Sequence, residues 1–235
     1  MNRSHIKELY FITYIDNLPS ILKLGILSRN AAVRKKLNFK DVSEPGVQDR
    51  RAGKKIPGTS KALHDYANLY FDAHNPMLSA RRSENNNICV LRINKNVLDL
   101  KGIVVTDMNA ARDCRFMPLE EGLSSLDHDK IYMVHWKDPN NPINEYRQAG
   151  IKCAEILVPE YVESRYIIGA YVANHIALDA FIDLSIFKDK SEEVNTAFSR
   201  GEERSNTGLP SVFGKEKASK QIFDLEVSIK SGIFF

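Results

Sequence analysis

A chain of 235 residues with 43% hydrophobic and 27% charged side chains has the balance of a folded globular domain, long enough to bury a sizeable core. No stretch approaches the roughly 20 apolar residues of a bilayer span, and the opening MNRSHIKELYFITYIDNL regains charge at Asp16 before a signal-type apolar core forms, so the expected location is cytoplasmic. Net charge is only +3, yet residues 29–61 hold ten Lys or Arg against Asp41, Glu44 and Asp49, an excess that attracts phosphates or else marks a solvated loop.

From the N-terminus, the apolar and aromatic run LYFITY (9–14) predicts a first strand. Asp16 suits a helix N-cap, Pro19 a first turn and Gly25 the position past the end. Leu18, Ile21, Leu22 and Leu24 give that helix its apolar side, and Ile26 and Leu27 continue inward. Residues 28–62 are polar, basic and broken by Pro45, Gly46, Gly53, Pro57 and Gly58, which predicts a long functional loop with some short helix. A strand is expected at 66–71, then a turn at Asn75-Pro76 leading into a helix towards 82.

Residues 88–93 read as a buried strand, 94–98 as a short helix or turn, and 103–106 as another strand. The acidic stretch 118–130 looks turn-rich. IYMVHW (131–136) fits a strand or an element flanking a loop, and 138–150 a turn followed by one or two helical turns. IKCAEILVP (151–159) predicts a strong strand ended by Pro159, and 166–172 the last clear strand, with helix to about 186. After Lys188 the chain turns polar, as a linker does, while SKQIFDLEVSIKSGIFF is apolar enough to pack back. Strands of mixed spacing without a repeat argue α+β, with a main domain over 1–188 and an extension over 189–235 that returns to it.

Cys89, Cys114 and Cys153 form no paired ligand pattern, and His64, His74, His135 and His175 are scattered, so no metal is expected. Glycine-rich dinucleotide and phosphate loops and a nucleophile elbow are missing too. Glu155 stands out as a carboxylate inside an apolar strand. Alternation puts it on a face with Cys153 and Leu157, opposite Lys152, Ala154 and Ile156. Such a group has a chemical task, or else lies at an edge facing water or an arginine. Arg50 and Arg51 are equally open between surface charge and site, and Thr13 between ligand contact and turn cap. Tyr132, His135, Trp136, Lys137, Tyr146 and Arg147 interleave rings that can stack on bases with cations that can hold phosphates. Tyr132 and Trp136 also fit an ordinary core, although the single tryptophan favours a place near the site.

Four stretches together resemble the DarT family of bacterial DNA ADP-ribosyltransferase toxins: LYFITYIDNLPSILKLGILSRNA (9–31), VQDRR (47–51), YFDAHNPMLSARR (70–82) and KCAEILVP (152–159). VVTDMNAARDCRF (104–116) is similar to a further family segment. The resemblance implies an ADP-ribosyltransferase-like α+β fold, with two packed, mostly antiparallel sheets and flanking helices around an NAD+ cleft. It implies Glu155 and Arg51 as catalytic residues, with Phe11, Ile12, Thr13, Asn17, Gly25, Arg50 and Tyr70 towards NAD+. Met77, His135, Trp136, Tyr146 and Arg147 fall towards DNA, and 118–150 becomes the target-recognition segment. Thr13 matches the threonine of the family's His-x-Thr motif, but Phe11 replaces its histidine. That departure removes a ring nitrogen and leans the expected target towards guanine over thymine.

The implied function is that of a toxin using NAD+ as co-substrate, without a permanently bound cofactor, on single-stranded DNA. The implied partner is a DarG-type macrodomain antitoxin that removes the modification. In that chemistry Glu155 stabilises a cation-like ribose and accepts the proton of the attacking base, while Arg51 holds the pyrophosphate or polarises the base. The rival readings are a transferase acting on RNA, protein or water, and a non-catalytic nucleic-acid module resting on the basic stretch.

Overall fold

A computed structural model describes residues 1–185 and 225–234. The polar linker expected after Lys188 lies outside the described residues. Ten strands are described: β1 (Glu8–Tyr14), β2 (Ile26–Leu27), β3 (Tyr66–Tyr70), β4 (Ile88–Asn94), β5 (Val104–Thr106), β6 (Phe116–Pro118), β7 (Glu155–Pro159), β8 (Tyr161–Val162), β9 (Ile167–Val172) and β10 (Glu226–Ile229). The helices are α1 (Leu18–Leu24), α2 (Arg29–Arg34), α3 (Pro45–Ala52), α4 (Pro76–Ala80), α5 (Leu119–Ser125), α6 (His128–Ile131), α7 (Pro142–Lys152) and α8 (175–185). Eight strands form one sheet in the order β10-β9-β4-β1-β3-β7-β5-β6, and β2 pairs with β8 in a small second sheet.

One feature of that order builds the cleft. β1 pairs antiparallel with β4 along its whole length, from Glu8 opposite Asn94 to Tyr14 opposite Ile88. On its other side it meets β3 only at Tyr10 opposite Tyr70. The large sheet is therefore two half-sheets touching at a single residue pair, opened between β1 and β3. Its pairs are antiparallel except β9 with β10.

Period-two alternation decides which side chains face which core. Leu9, Leu91, Ile93, Ile156 and Val158 face a core closed by Leu18, Ile21 and Leu22 of α1, Leu123 of α5 and Phe181 of α8. Ile12, Tyr14, Tyr70 and Val90 face a second cluster with Leu78 of α4 and Phe234. Full burial of such a side chain contributes roughly 1.5–3 kcal/mol.

Several expectations need correction. Asp16 caps nothing: it sits in a 3-10 turn (Ile15–Asn17), and Asn17 holds the N-cap position of α1 without a side-chain capping bond. The stretch 118–130 is helical, because Glu120 and Glu121 fill the first turn of α5 and the Asp127 carboxylate caps α6 at Asp129 and Lys130. Residues 132–136 are not a strand. α7 runs eleven residues, capped by Asn141, and takes in Ile151 and Lys152. Glu155 is consequently the first residue of β7 and not an interior one.

Candidate active site

The cavity between the half-sheets takes its walls from Phe11, Ile12 and Thr13 of β1 and Tyr66, Ala67, Asn68 and Tyr70 of β3. Gly25, Ile26, Arg29, the 37–43 segment, Gln48, Arg51, His64 and Met77 complete it. Gly25 ends α1 at φ 81°, and a Cβ there would stand 2.3 Å from the Val162 carbonyl oxygen. Only glycine lets β2 turn back against β8 at this corner. Asn17 pins the rim: its amide donates to Thr13 Oγ1 at 3.1 Å and to the Lys40 carbonyl at 2.8 Å, and its carbonyl accepts the Lys40 N–H at 2.9 Å.

Arg51 lines the cavity, and Glu155, which is outside the lining, is bonded to it. Arg51 Nη1 donates to Glu155 Oε1 at 2.9 Å and to Oε2 at 3.1 Å, and Nη2 donates to Oε2 at 3.1 Å. The Ala110 N–H adds a fourth bond to Oε1 at 3.0 Å, while the Glu155 N–H donates to Thr106 Oγ1 at 3.0 Å. The side chains are 9% and 0% exposed, so the pair is taken almost wholly out of water. An ion pair survives there only when bidentate geometry and further donors offset desolvation, and both are present. Burial alone pushes Arg51 down, but the Glu155 charge and hydrogen bonds more than reverse it. Tyr70 is held far above its ordinary value by burial, with the Glu155 charge adding to it, so its hydroxyl stays protonated.

The cavity wall holds a second polar chain. His64 Nε2 lies 3.0 Å from Gln48 Oε1, and the Gln48 amide donates to Ser43 Oγ at 2.8 Å. Burial, then the charges of Arg29 and Arg51, lower the His64 pKa and favour a neutral imidazole. Arg29 is ion-paired with Asp41, and Lys40 Nζ stands 4.1 Å from the Tyr14 ring centre.

Of the residues expected at the site, Phe11, Ile12, Thr13, Asn17, Gly25, Arg51, Tyr70 and Met77 line this one cavity. Glu155 lies immediately behind Arg51. Arg50 is exposed and outside the lining, so of the two arginines Arg51 is the one turned inward. Trp136 is buried at 7% exposure, its ring 4.8 Å from that of His74. His135 and Arg147 are exposed, as is Tyr146 under the Arg112 guanidinium at 3.8 Å. Gln48, His64, Thr106 and the Ala110 amide went unforeseen. Gln48 lies in VQDRR and Ala110 in VVTDMNAARDCRF, but a backbone donor leaves no residue-type signal. Among the described residues, no group of three or more His, Cys, Asp or Glu could hold a metal ion, and no helix is long and apolar enough to cross a membrane.

A family model described as "ssDNA thymidine ADP-ribosyltransferase, DarT" matches residues 10–195, well over half of the chain. The chain belongs to the DarT family. A DNA ADP-ribosyl transferase of Thermus sp. is 31% identical over 153 residues, covering 60% of this chain and 71% of that protein. A DNA ADP-ribosyl transferase-DNA ADP-ribosyl glycohydrolase fusion protein of Thermosipho africanus is 30% identical over 179 residues, or 72% of this chain. This DarT chain spans only 43% of the fusion protein's length. Thermus sp. 2.9 DarT shares the fold: its structure with ADP-ribosylated ssDNA gives a TM-score of 0.67 at 22% identity over 100% of this chain and 99% of that one. Its NAD+ complex gives 0.63 at 23% identity, over 98% of each chain. The DarT fold thus accounts for the α+β architecture, with the cleft at the parting of β1 and β3.

Proposed function

We propose that this chain transfers ADP-ribose from NAD+ to a base of single-stranded DNA, with Glu155 and Arg51 as its catalytic pair. The observation that carries the reading is the buried bidentate pair that joins Glu155 to Arg51 in the wall of the β1–β3 cavity. Support also comes from what the relatives are named as doing, and from the NAD+ and modified DNA held by Thermus sp. 2.9 DarT.

The nicotinamide–ribose bond breaks and its electron pair leaves with the nicotinamide. A base nitrogen then bonds to the cation-like ribose carbon, and Glu155 accepts the proton that the nitrogen gives up. All three guanidinium bonds of Arg51 go to Glu155 in this structure. The guanidinium therefore shifts to uncover a carboxylate oxygen when substrate enters. Arg29 is held by Asp41, so among the described residues Lys40, over the Tyr14 ring, is the lining cation that the pyrophosphate meets without an ion pair to break. An unstacked base costs least in single-stranded DNA.

The guanine preference rests on Phe11 alone, and the family model's own description names thymidine. Both bases therefore belong in the test. The Thermosipho fusion joins a transferase to a glycohydrolase, which supports a toxin role with a DarG-type macrodomain that reverses the reaction. A role that consumes NAD+ and modifies DNA fits a cytoplasmic location. Single-stranded oligonucleotides that each lack one base, incubated with NAD+ and weighed by mass spectrometry, test the reading. We expect one ADP-ribosyl mass, lost only when the target base is missing. Labelled RNA or protein beside unlabelled DNA would instead establish the rival acceptor.

A further inference from the structure

Lys152 is a buried cation with no part in the chemistry above. It closes α7 three residues before Glu155, and its side chain is 0% exposed. Nζ makes two contacts: an ion pair with Asp72 Oδ2, and a bond to the Ile131 carbonyl at 3.1 Å. Burying an ammonium is costly, so both contacts are structurally demanding.

One contact leads towards the cavity wall, the other to the segment that packs beside it through Trp136 and His74. Asp72 follows β3, and its Oδ1 accepts the His74 N–H at 3.1 Å. Its carbonyl accepts from the Asn75 amide at 3.0 Å, and Asn75 caps α4, which places Met77 on the cavity wall. Ile131 ends α6, where the irregular stretch 132–141 begins. That stretch holds Trp136 against His74 and leaves Val134 63% exposed. At its far end the Asp138 N–H donates to Glu145 Oε2 at 3.0 Å, and its Oδ2 accepts from the Asn144 amide at 2.8 Å. The segment is thus tied down at both ends, with Lys152 joining its start to the post-β3 turn.

We propose that the Lys152–Asp72 pair is a positioning element that fixes the 132–141 segment against the cleft, and so sets where the acceptor DNA strand lies relative to Glu155. The acceptor half of this inference rests on the proposed transferase function; the anchoring half does not. The pair acts on the loop and leaves NAD+ cleavage to Glu155 and Arg51. Misplacing an acceptor by about 1 Å costs on the order of 10²-fold in rate.

The test uses the full chain and two readouts. Trp136 is the only tryptophan, so its emission reports the segment without substrate. Lys152→Met is expected to shift that emission to the red and to lower transfer to single-stranded DNA by about 10²-fold. Nicotinamide release in the absence of DNA, and its KM for NAD+, should stay near wild type. Asp72→Asn, which keeps the side-chain shape, should move both readouts the same way by less, and it decides the matter if Lys152→Met does not fold. Unchanged emission, an emission shift with undiminished transfer, or equal loss of nicotinamide release and transfer would each overturn the proposal. A wild-type chain inert towards DNA would overturn the acceptor role together with the transferase reading, while the emission arm still decides whether the pair anchors the segment.

Discussion

At the residue scale, the geometry couples Glu155 to Arg51. Arg51 faces the cavity and the carboxylate sits behind it, held by four donated bonds. Removing the cation leaves a buried charge without its partner, which destabilises a fold by about 3–5 kcal/mol. Arg51→Ala should therefore lose stability by roughly that amount in urea titrations. A variant with wild-type stability would show that Arg51 is dispensable to Glu155. The sequence singled out this carboxylate from its apolar neighbours; of its alternative, an edge glutamate facing water or an arginine, only the arginine holds, since β7 lies between β3 and β5 and the side chain is buried. That the facing arginine lies 104 residues away follows only from the fold.

At the scale of elements, strands with uniform neighbours were legible and mixed junctions were not. LYFITY and ICVLRI are apolar over a strand's length, and each became one. ILVP closes a run that begins in a helix, and the apolar stretch 151–158 carries no periodicity marking the change at Cys153. α5 and α6 had their signals in Glu120, Glu121 and Asp127, obscured by an acidic composition that resembles a loop. The single-residue contact of β1 with β3, which opens the cleft, is a property of pairing that no local pattern announces.

Another pairing predicts acid behaviour. Glu8 on β1 accepts from Arg92 of β4 at 3.0 Å, Tyr10 at 2.9 Å and Tyr171 of β9 at 3.1 Å, while Arg92 also reaches Glu226 of β10 at 2.7 Å. Burial pushes the Glu8 carboxyl up, but these donors outweigh it and hold the group below 4.5. A lowered carboxyl stabilises the fold while ionised, so its contribution is full above 4.5 and fades as pH falls through the lower folded value. Urea midpoints should drop over that acid window, and Glu8→Gln should flatten the drop. An unaltered acid slope in Glu8→Gln would remove the network from the account.

At the scale of the whole molecule, the half-sheets meet beside the cavity through one strand pair, so a ligand bridging β1 and β3 should bind the folded form strongly. At a hundredfold excess over Kd such a ligand adds about 2.7 kcal/mol. For a chain of this size each kcal/mol raises Tm by about 2–4 °C. NAD+ should therefore raise the melting temperature in a concentration-dependent way, and no shift at saturating NAD+ would argue against the cavity as its site. The basic 29–61 stretch borders the same cavity, so DNA affinity should fall steeply with salt.

The most direct test replaces the carboxylate to which the proposed mechanism gives the proton. Glu155→Gln keeps the shape and an acceptor for Arg51, and it should cut ADP-ribose transfer to a single-stranded oligonucleotide by ~10²–10⁴-fold, read by mass spectrometry, in a chain that remains folded. Transfer at the wild-type rate by that variant would contradict the assignment of the chemistry to this pair.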